Sequence, residues 1–244
     1  MSLQIPEKLS HVRKLIDQAK FNEALEIIEN FENSESLSPE DQLSALLIKA
    51  RIYTYTREYE KNVEVSSRAY EISQELGRAS ESVEALIGKA YIIFIDDLDK
   101  ASTYVTEAER LLKSLPDDFS TDVLRRRLLS IKSWILLFKG NINGATESAQ
   151  QCLKLIKEDK LSNKLELTAT FLILGWINWN QGNQTKALDY AMKSLKHNIE
   201  LNHDVAIAAD YTLIARIYLG KGDYDQALQY CKQSLAIKGI TSRT

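Results

Sequence analysis

The side chains able to do covalent or metal chemistry are few and scattered: His11, His197 and His203, with Cys152 and Cys231, in a chain of 244 residues. His197 and His203 stand six apart across an expected helix break. A helical metal pair needs i, i+4 spacing on one face, so they read as surface histidines and not as ligands. The adjacent carboxylates Asp96–Asp97 and Asp117–Asp118 fall at expected helix starts. The positive end of the helix dipole stabilises them there without any acid–base role. No phosphate-cradling glycine loop, dinucleotide turn or nucleophile elbow occurs. The expectation is a chain with no catalytic residue, no metal and no cofactor. What remains to carry function are aromatic and arginine side chains, which recognise other molecules by contact.

The bulk numbers agree with that reading. Net charge is -3, from 31 basic and 34 acidic side chains spread evenly along the chain. Such a balance gives no broad attraction to phosphate backbones or anionic lipids, so neither nucleic acid nor membrane is an expected partner. Two cysteines are too few for a disulfide framework, and no secretory leader pattern opens the sequence, which points to a reducing cytoplasm. No apolar run approaches the roughly 20 residues needed to span a bilayer. Only three prolines and nine glycines interrupt the chain, and no useful length alternates apolar with polar as a strand would. The fold class expected is all-α.

The elements that must position any binding group show themselves as a repeat. Gly140-Asn141-Ile142-Asn143-Gly144-Ala145, Gly182-Asn183-Gln184-Thr185-Lys186-Ala187 and Gly222-Asp223-Tyr224-Asp225-Gln226-Ala227 share one pattern. In each, a glycine can end one helix in the left-handed conformation, an Asn or Asp can cap the next, and a small residue follows. Degenerate copies upstream put the same mark at Ala24, Asn62 and Ala101, so that marks recur every 38 to 44 residues. Other columns keep step: Ile28, Ser66, Val105, Ala149, Ala191 and Cys231; Phe31, Ala69, Ala108, Cys152, Ser194 and Ser234; and, in the preceding helix, Val12, Ala50, Ala90, Ser133, Gly175 and Ala215. The third copy keeps register only with a turn one residue shorter. Short side chains at fixed positions let two helices of a hairpin approach closely and let the next hairpin dock. On this reading Cys152 and Cys231 are packing groups.

These columns, with Leu174-Gly175 before Gly182 and Ala187, and Tyr218 before Gly222, Tyr224 and Ala227, resemble the tetratricopeptide repeat. The likeness covers roughly residues 7 to 237. The usual period of that family is about 34 residues, and here each hairpin exceeds it by about one helical turn. Long-helix versions of this kind are similar to kinesin light chain repeats, to the regulatory domain of the bacterial maltose-regulon activator and to the peptide-pheromone receptors of Gram-positive bacteria. HEAT-like repeats share the longer period but lack the Gly-Asx turn. The resemblance implies a right-handed α-solenoid of about six repeats, one domain over 5–238, with helices near 7–19, 22–33, 39–57, 59–76, 78–95, 97–114, 120–139, 141–158, 161–181, 183–200, 204–221 and 223–237.

In tetratricopeptide arrays the first helix of each hairpin lines the concave face. One residue after the small column of those helices stand Arg13, Arg51, Tyr91, Trp134, Trp176 and Arg216. Three and four residues further on, on the same face, come Tyr55, Phe94, Phe138 and Trp179. The expected lining is therefore Arg51, Tyr55, Tyr91, Phe94, Trp134, Phe138, Trp176, Trp179 and Arg216, aromatic in the middle and arginine-flanked. Such a groove suits a protein or peptide segment with apolar anchors and an acidic group. The alternative is that some of these rings only pack between neighbouring helices. Two functions follow: a scaffold that grips a partner segment, or the ligand- or peptide-sensing domain of a larger signalling or transcriptional regulator. The lysine- and asparagine-based clamp of chaperone-tail binders is not reproduced.

The last helix carries Leu228, Tyr230, Cys231, Leu235 and Ile237 and shows no polar outer face, whereas Arg125-Arg126-Arg127 reads as a polar face elsewhere. Terminal repeats need capping. The expectation is either a tail, 239–244, cut from a longer chain with an output domain beyond it, or a homodimer through the uncapped helix.

Overall fold

The computed structural model describes residues 9–33, 37–159 and 164–241, and among these residues twelve helices follow one another without a strand. They are α1 (Ser10–Asp17), α2 (Phe21–Asn33), α3 (Pro39–Thr56), α4 (Tyr59–Glu75), α5 (Ala79–Ile93), α6 (Leu98–Leu112), α7 (Phe119–Phe138), α8 (Ile142–Glu158), α9 (Lys164–Asn180), α10 (Gln184–Glu200), α11 (Asp204–Gly220) and α12 (Tyr224–Thr241). Boundaries agree with the sequence expectation to within about two residues, apart from α12, which runs on to Thr241. The expected starts of α1 and α9, at 7 and 161, lie outside the described residues.

The helices gather into two compact units, Met1–Lys139 and Gly140–Thr244. In the first, α1–α2, α3–α4 and α5–α6 are consecutive hairpins; α4 packs on α5, α6 on α7, and the first helices α3, α5 and α7 lie side by side. In the second, α8 packs on α9, α9–α10 and α11–α12 are hairpins, α10 packs on α11, and α9 touches α11.

Local chemistry sets the starts. Ser38 caps α3 by accepting from the Asp41 N–H at 3.1 Å, with Pro39 in the first turn. Asp97, Asp118, Asn141 and Asp223 do the same for α6, α7, α8 and α12 through the N–H groups of Lys100, Thr121, Gly144 and Gln226. Hydrogen bonds from the Ser120 hydroxyl and the Thr121 N–H hold the Asp118 carboxyl below its ordinary range. The expected cap Asn183 behaves differently: its side chain makes no cap bond, and its Nδ2 donates to Gln181 instead. Pro116 is not at a helix start but two residues ahead of the cap Asp118.

Short turns after odd-numbered helices take one left-handed residue. Gly140, Gly182 and Gly222 supply it at φ 77, 77 and 78°, and Ala19 and Arg57 supply it in the first two turns at φ 57 and 60°. The third turn has no such residue. There the Asp97 N–H closes directly on the Ile93 carbonyl at 2.7 Å, whereas Glu58, Asn183 and Asp223 reach one residue further back, to Tyr53, Asn178 and Tyr218. This is the turn that the columns required to be one residue shorter. A residue with a Cβ pays about 1–2 kcal/mol for the left-handed conformation, part of which glycine returns through its freer unfolded chain. Arg57, exposed and in no ion pair among the described residues, is the place to see it. Arg57→Gly is expected to stabilise by roughly 0.5–1 kcal/mol in urea denaturation, and a loss of stability there would refute this account of the turn.

The columns form the core. Every member of the four is buried except Cys231. Asn62, standing where the other marks are alanine, is buried at 1% exposure because its carboxamide is satisfied: Nδ2 donates to Thr54 Oγ1 at 2.9 Å and Oδ1 accepts from Ser66 at 2.7 Å. Three sequence expectations are corrected. Cys231 is exposed, since α12 packs on α11 by its other side and leaves Leu228, Cys231 and Leu235 open. His203 is buried at the start of α11 and not on the surface. Arg125-Arg126-Arg127 is not a polar outer face: Arg126 is buried and Arg127 nearly so. Consecutive helical residues point about 100° apart, so three arginines in a row cannot share one face.

Candidate functional site

In the first unit the expected lining divides into three arrangements. Arg51 on α3 does not stand free: its Nη2 donates to Glu84 Oε1 on α5 at 2.7 Å, and Arg127 Nη1 on α7 donates to the same oxygen at 2.5 Å. All three side chains are largely buried, at 18, 18 and 10% exposure. Burial by itself would push the Glu84 carboxyl up; the charges and hydrogen bonds of Arg51 and Arg127 outweigh it and hold the group at about 2. Arg13 on α1 is exposed and belongs to the same field. Desolvation and the like charge of Arg51 both loosen its proton.

Tyr55 stacks on Phe21 of α2, with centroids 5.7 Å apart and planes 15° from parallel. Phe94, Trp134 and Phe138 come together. Phe94 meets Phe138 edge-on at 5.5 Å and lies 6.5 Å from Trp134, while Trp134 and Phe138 are 6.2 Å apart. Trp134 and Phe138 are four apart on α7, one turn of one face. Phe94 reaches them because it caps the end of α5. Tyr91 braces the pair of helices by donating its hydroxyl to Ser130 on α7 at 2.9 Å. Phe94 and Trp134 are half-buried against the core, but Phe138 and the adjoining Ile95 are 55 and 57% exposed. The result is an apolar patch with a fixed floor.

In the second unit Trp176 and Trp179 on α9 meet edge-to-face at 5.6 Å. The Arg216 guanidinium, from α11, sits 5.5 Å from one ring centroid and 5.8 Å from the other. Arg216 is exposed and both tryptophans are half-buried, with Leu219 exposed one turn further along α11. A cation held over two indoles offers apolar ring area and a charged, donor-rich edge together. All three tryptophans of the chain thus stand on these two faces.

Sequence reasoning missed Glu84 and Arg127. Both lie six residues ahead of the small column, at Ala90 and Ser133, whereas the corresponding positions in α9 and α11 are Ala169 and Ala209. Reading that second column would have exposed an acid and a base on neighbouring helices.

Residues 211–242 match the model of the tetratricopeptide repeat. Among solved structures, the chain is similar to a Rap protein complexed with Competence and Sporulation Factor, at 14% identity and a TM-score of 0.69 over 96% of this chain and 74% of that one. It is similar to NprR in complex with its cognate peptide NprX, at 15% and 0.67, over 94% of this chain and 65% of that one. It is also similar to a signal transduction ATPase with a tetratricopeptide repeat sensor from Pyrococcus horikoshii, at 17% and 0.60, over 96% of this chain but only 34% of that one. The repeats are tetratricopeptide-like. No curated protein matches the sequence. With tetratricopeptide-like hairpins, α3, α5, α7, α9 and α11 are the first helices of their repeats, and the two aromatic faces and the ion triad all stand on them. The chain spans less than two thirds of NprR and about one third of the ATPase.

Proposed function

We propose that this chain is a non-catalytic binding module whose first-helix faces take a peptide segment of a partner. The observation that carries the proposal is the Trp176–Trp179–Arg216 assembly, where rigid aromatic area and a cation stand together in the open. Tryptophan and arginine are the residues that most often dominate binding energy. The Phe94–Trp134–Phe138 patch of the first unit offers a second set of apolar contacts. Together with Tyr91 these are the lining residues we retain; Tyr55 is engaged by Phe21, and Arg51 by Glu84. One of the similar structures, NprR, holds its cognate peptide, which supports a peptide as the ligand. A second reading, a sensing domain of a regulator, is favoured by the likeness to the Pyrococcus horikoshii ATPase, whose tetratricopeptide repeats are a sensor. A reducing cytoplasm suits the exposed thiol of Cys231.

Selection from a random peptide library, followed by titration of tryptophan emission, tests the proposal. Trp176→Ala and Arg216→Ala are expected to weaken the selected peptide by about 30-fold or more, the cost of losing a binding anchor of 2 kcal/mol. Arg216 is exposed, so its loss leaves the fold intact and thermal melting unchanged. Unaltered affinity in the arginine variant, or no peptide selected at all, would sink the reading.

A further inference from the structure

α10 lies against two helices, α9 of its own hairpin and α11 of the next. Two hydrogen bonds mark the face it turns to α11. Gln184 Nε2 donates to the Gly220 carbonyl at 3.0 Å, and Asn198 Nδ2 donates to Asp210 Oδ2 at 2.7 Å. Leu188, Ala191 and Leu195 stand between them, so the stripe steps by 4, 3, 4 and 3 residues, the spacing of a seam along which one helix lies on another. Forty residues on, α12 repeats the stripe as Tyr224, Leu228, Cys231 and Leu235. On α12 it is open: Tyr224, Leu228 and Leu235 are 70, 55 and 66% exposed, and Cys231 is exposed with them. The helix that carries it is firmly held. Ala227 and Ser234 are buried, the Ser234 hydroxyl donates to the Ala208 carbonyl at 2.9 Å, and Tyr230 stacks on Tyr218 with centroids 5.7 Å apart.

We propose that this seam docks a second copy of the chain, α12 packing antiparallel on the partner's α12. Charge selects that occupant. Asp225 and Lys232 stand seven apart on one flank of the seam, both exposed and in no ion pair among the described residues. In an antiparallel pair Leu228 meets the partner's Cys231 and Tyr224 meets the partner's Leu235, which sets Asp225 against the partner's Lys232. A two-fold axis repeats each contact, so the face is complementary to itself. At the same two places α10, which receives a helix of its own chain, carries the uncharged Thr185 and Met192. There is room for the second helix. Leu228 follows the buried Ala227, and consecutive helical residues point about 100° apart, so a helix on the seam lies beside α11 and not over it. From Tyr224 to Leu235 the seam runs about 16 Å. That is a small interface, for which a dissociation constant on the order of tens of micromolar is expected.

Sedimentation equilibrium of the whole chain under reducing conditions, from about 5 to 500 µM, tests the proposal across that range. The expected result is a monomer–dimer equilibrium. Leu228→Asp, at an open position that leaves thermal melting unchanged, should weaken it by about a hundredfold. Asp225→Lys and Lys232→Asp each set like charges against one another at both ends of the seam and should each weaken self-association by about tenfold. Mixed together, these two variants present opposite charges at both ends, so the mixture should associate about as tightly as the native chain. A monomer at every concentration overturns the proposal and leaves the seam to a helix of another kind. So does a dimer indifferent to Leu228→Asp, or a mixture of the two charge variants that associates no better than either alone.

Discussion

Glu84→Gln is expected to lower the stability of the protein by roughly 3 kcal/mol at neutral pH, the low end of the cost of breaking a buried ion pair from one side. The substitution keeps the shape and keeps an oxygen to accept from Arg51 and Arg127, so what it removes is the charge. Two largely buried guanidiniums then lose the carboxylate charge they share. A second route gives the same size. The folded carboxyl is held at about 2 against an ordinary value of 4.5, and at 1.36 kcal/mol per unit that difference is again roughly 3 kcal/mol.

The sign of the pH dependence follows. A carboxyl with a lowered folded pKa contributes stability that is fully present above about 4.5 and is lost as pH falls towards 2. Urea denaturation of the native chain should therefore weaken across that window, and the Gln variant should lose that part of the slope. Replacing the whole triad, as Arg51→Met, Glu84→Leu and Arg127→Met together, should restore most of the loss, because a well-packed apolar trio avoids the desolvation of three charges. If Glu84→Gln were as stable as the native chain, solvent would be screening the triad and the buried-charge account would fall.

The triad also shows where sequence reasoning stops. Periodicity tells which face of a helix a residue occupies, and on that level the chain is transparent. Capping residues, left-handed turns and four columns of small side chains placed the helices, and even the shortened third turn was readable from the spacing of Ala90 and Ala101. Periodicity does not tell whom a long side chain meets. Arg51 and Tyr55 share a face of α3, yet one is drawn to Glu84, 33 residues away, and the other to Phe21 on the helix before it. Those choices depend on what the adjacent helix offers within reach. The compact column residues have no such freedom, which is why nearly all of them fell where expected. Cys231 is the exception for the same reason in reverse: its column is a packing position only where a further helix lies against it, and on that side of α12 the surface is open.

Gly175 and Leu213 offer the largest effect in the second unit. Leu213 on α11 is wholly buried, and its Cδ2 lies 2.8 Å from where a Cβ on Gly175 would stand. That same Cβ would meet the Ala187 carbonyl of α10 at 3.4 Å. Glycine is thus the residue that admits both the backbone of α10 and the leucine of α11 against α9. Leu213→Ala should cost about 2–5 kcal/mol, the transfer term plus an unfilled cavity. Gly175→Ala gains helix propensity of up to about 1 kcal/mol, but its methyl group must displace the leucine, for a net loss of about 1 kcal/mol. In the double variant the methyl enters the space the leucine has left, so the pair should be less destabilised than the sum of the singles by about 1 kcal/mol or more. A strictly additive double would mean that α9 and α11 do not meet as described. The cycle also reports on the candidate site, because Trp176 follows Gly175 directly and Arg216 lies three residues after Leu213. An α11 that settles differently on α9 carries the guanidinium away from the two indoles. Tryptophan emission should therefore shift in Leu213→Ala and return towards the native spectrum in the double variant, while peptide affinity follows the same order.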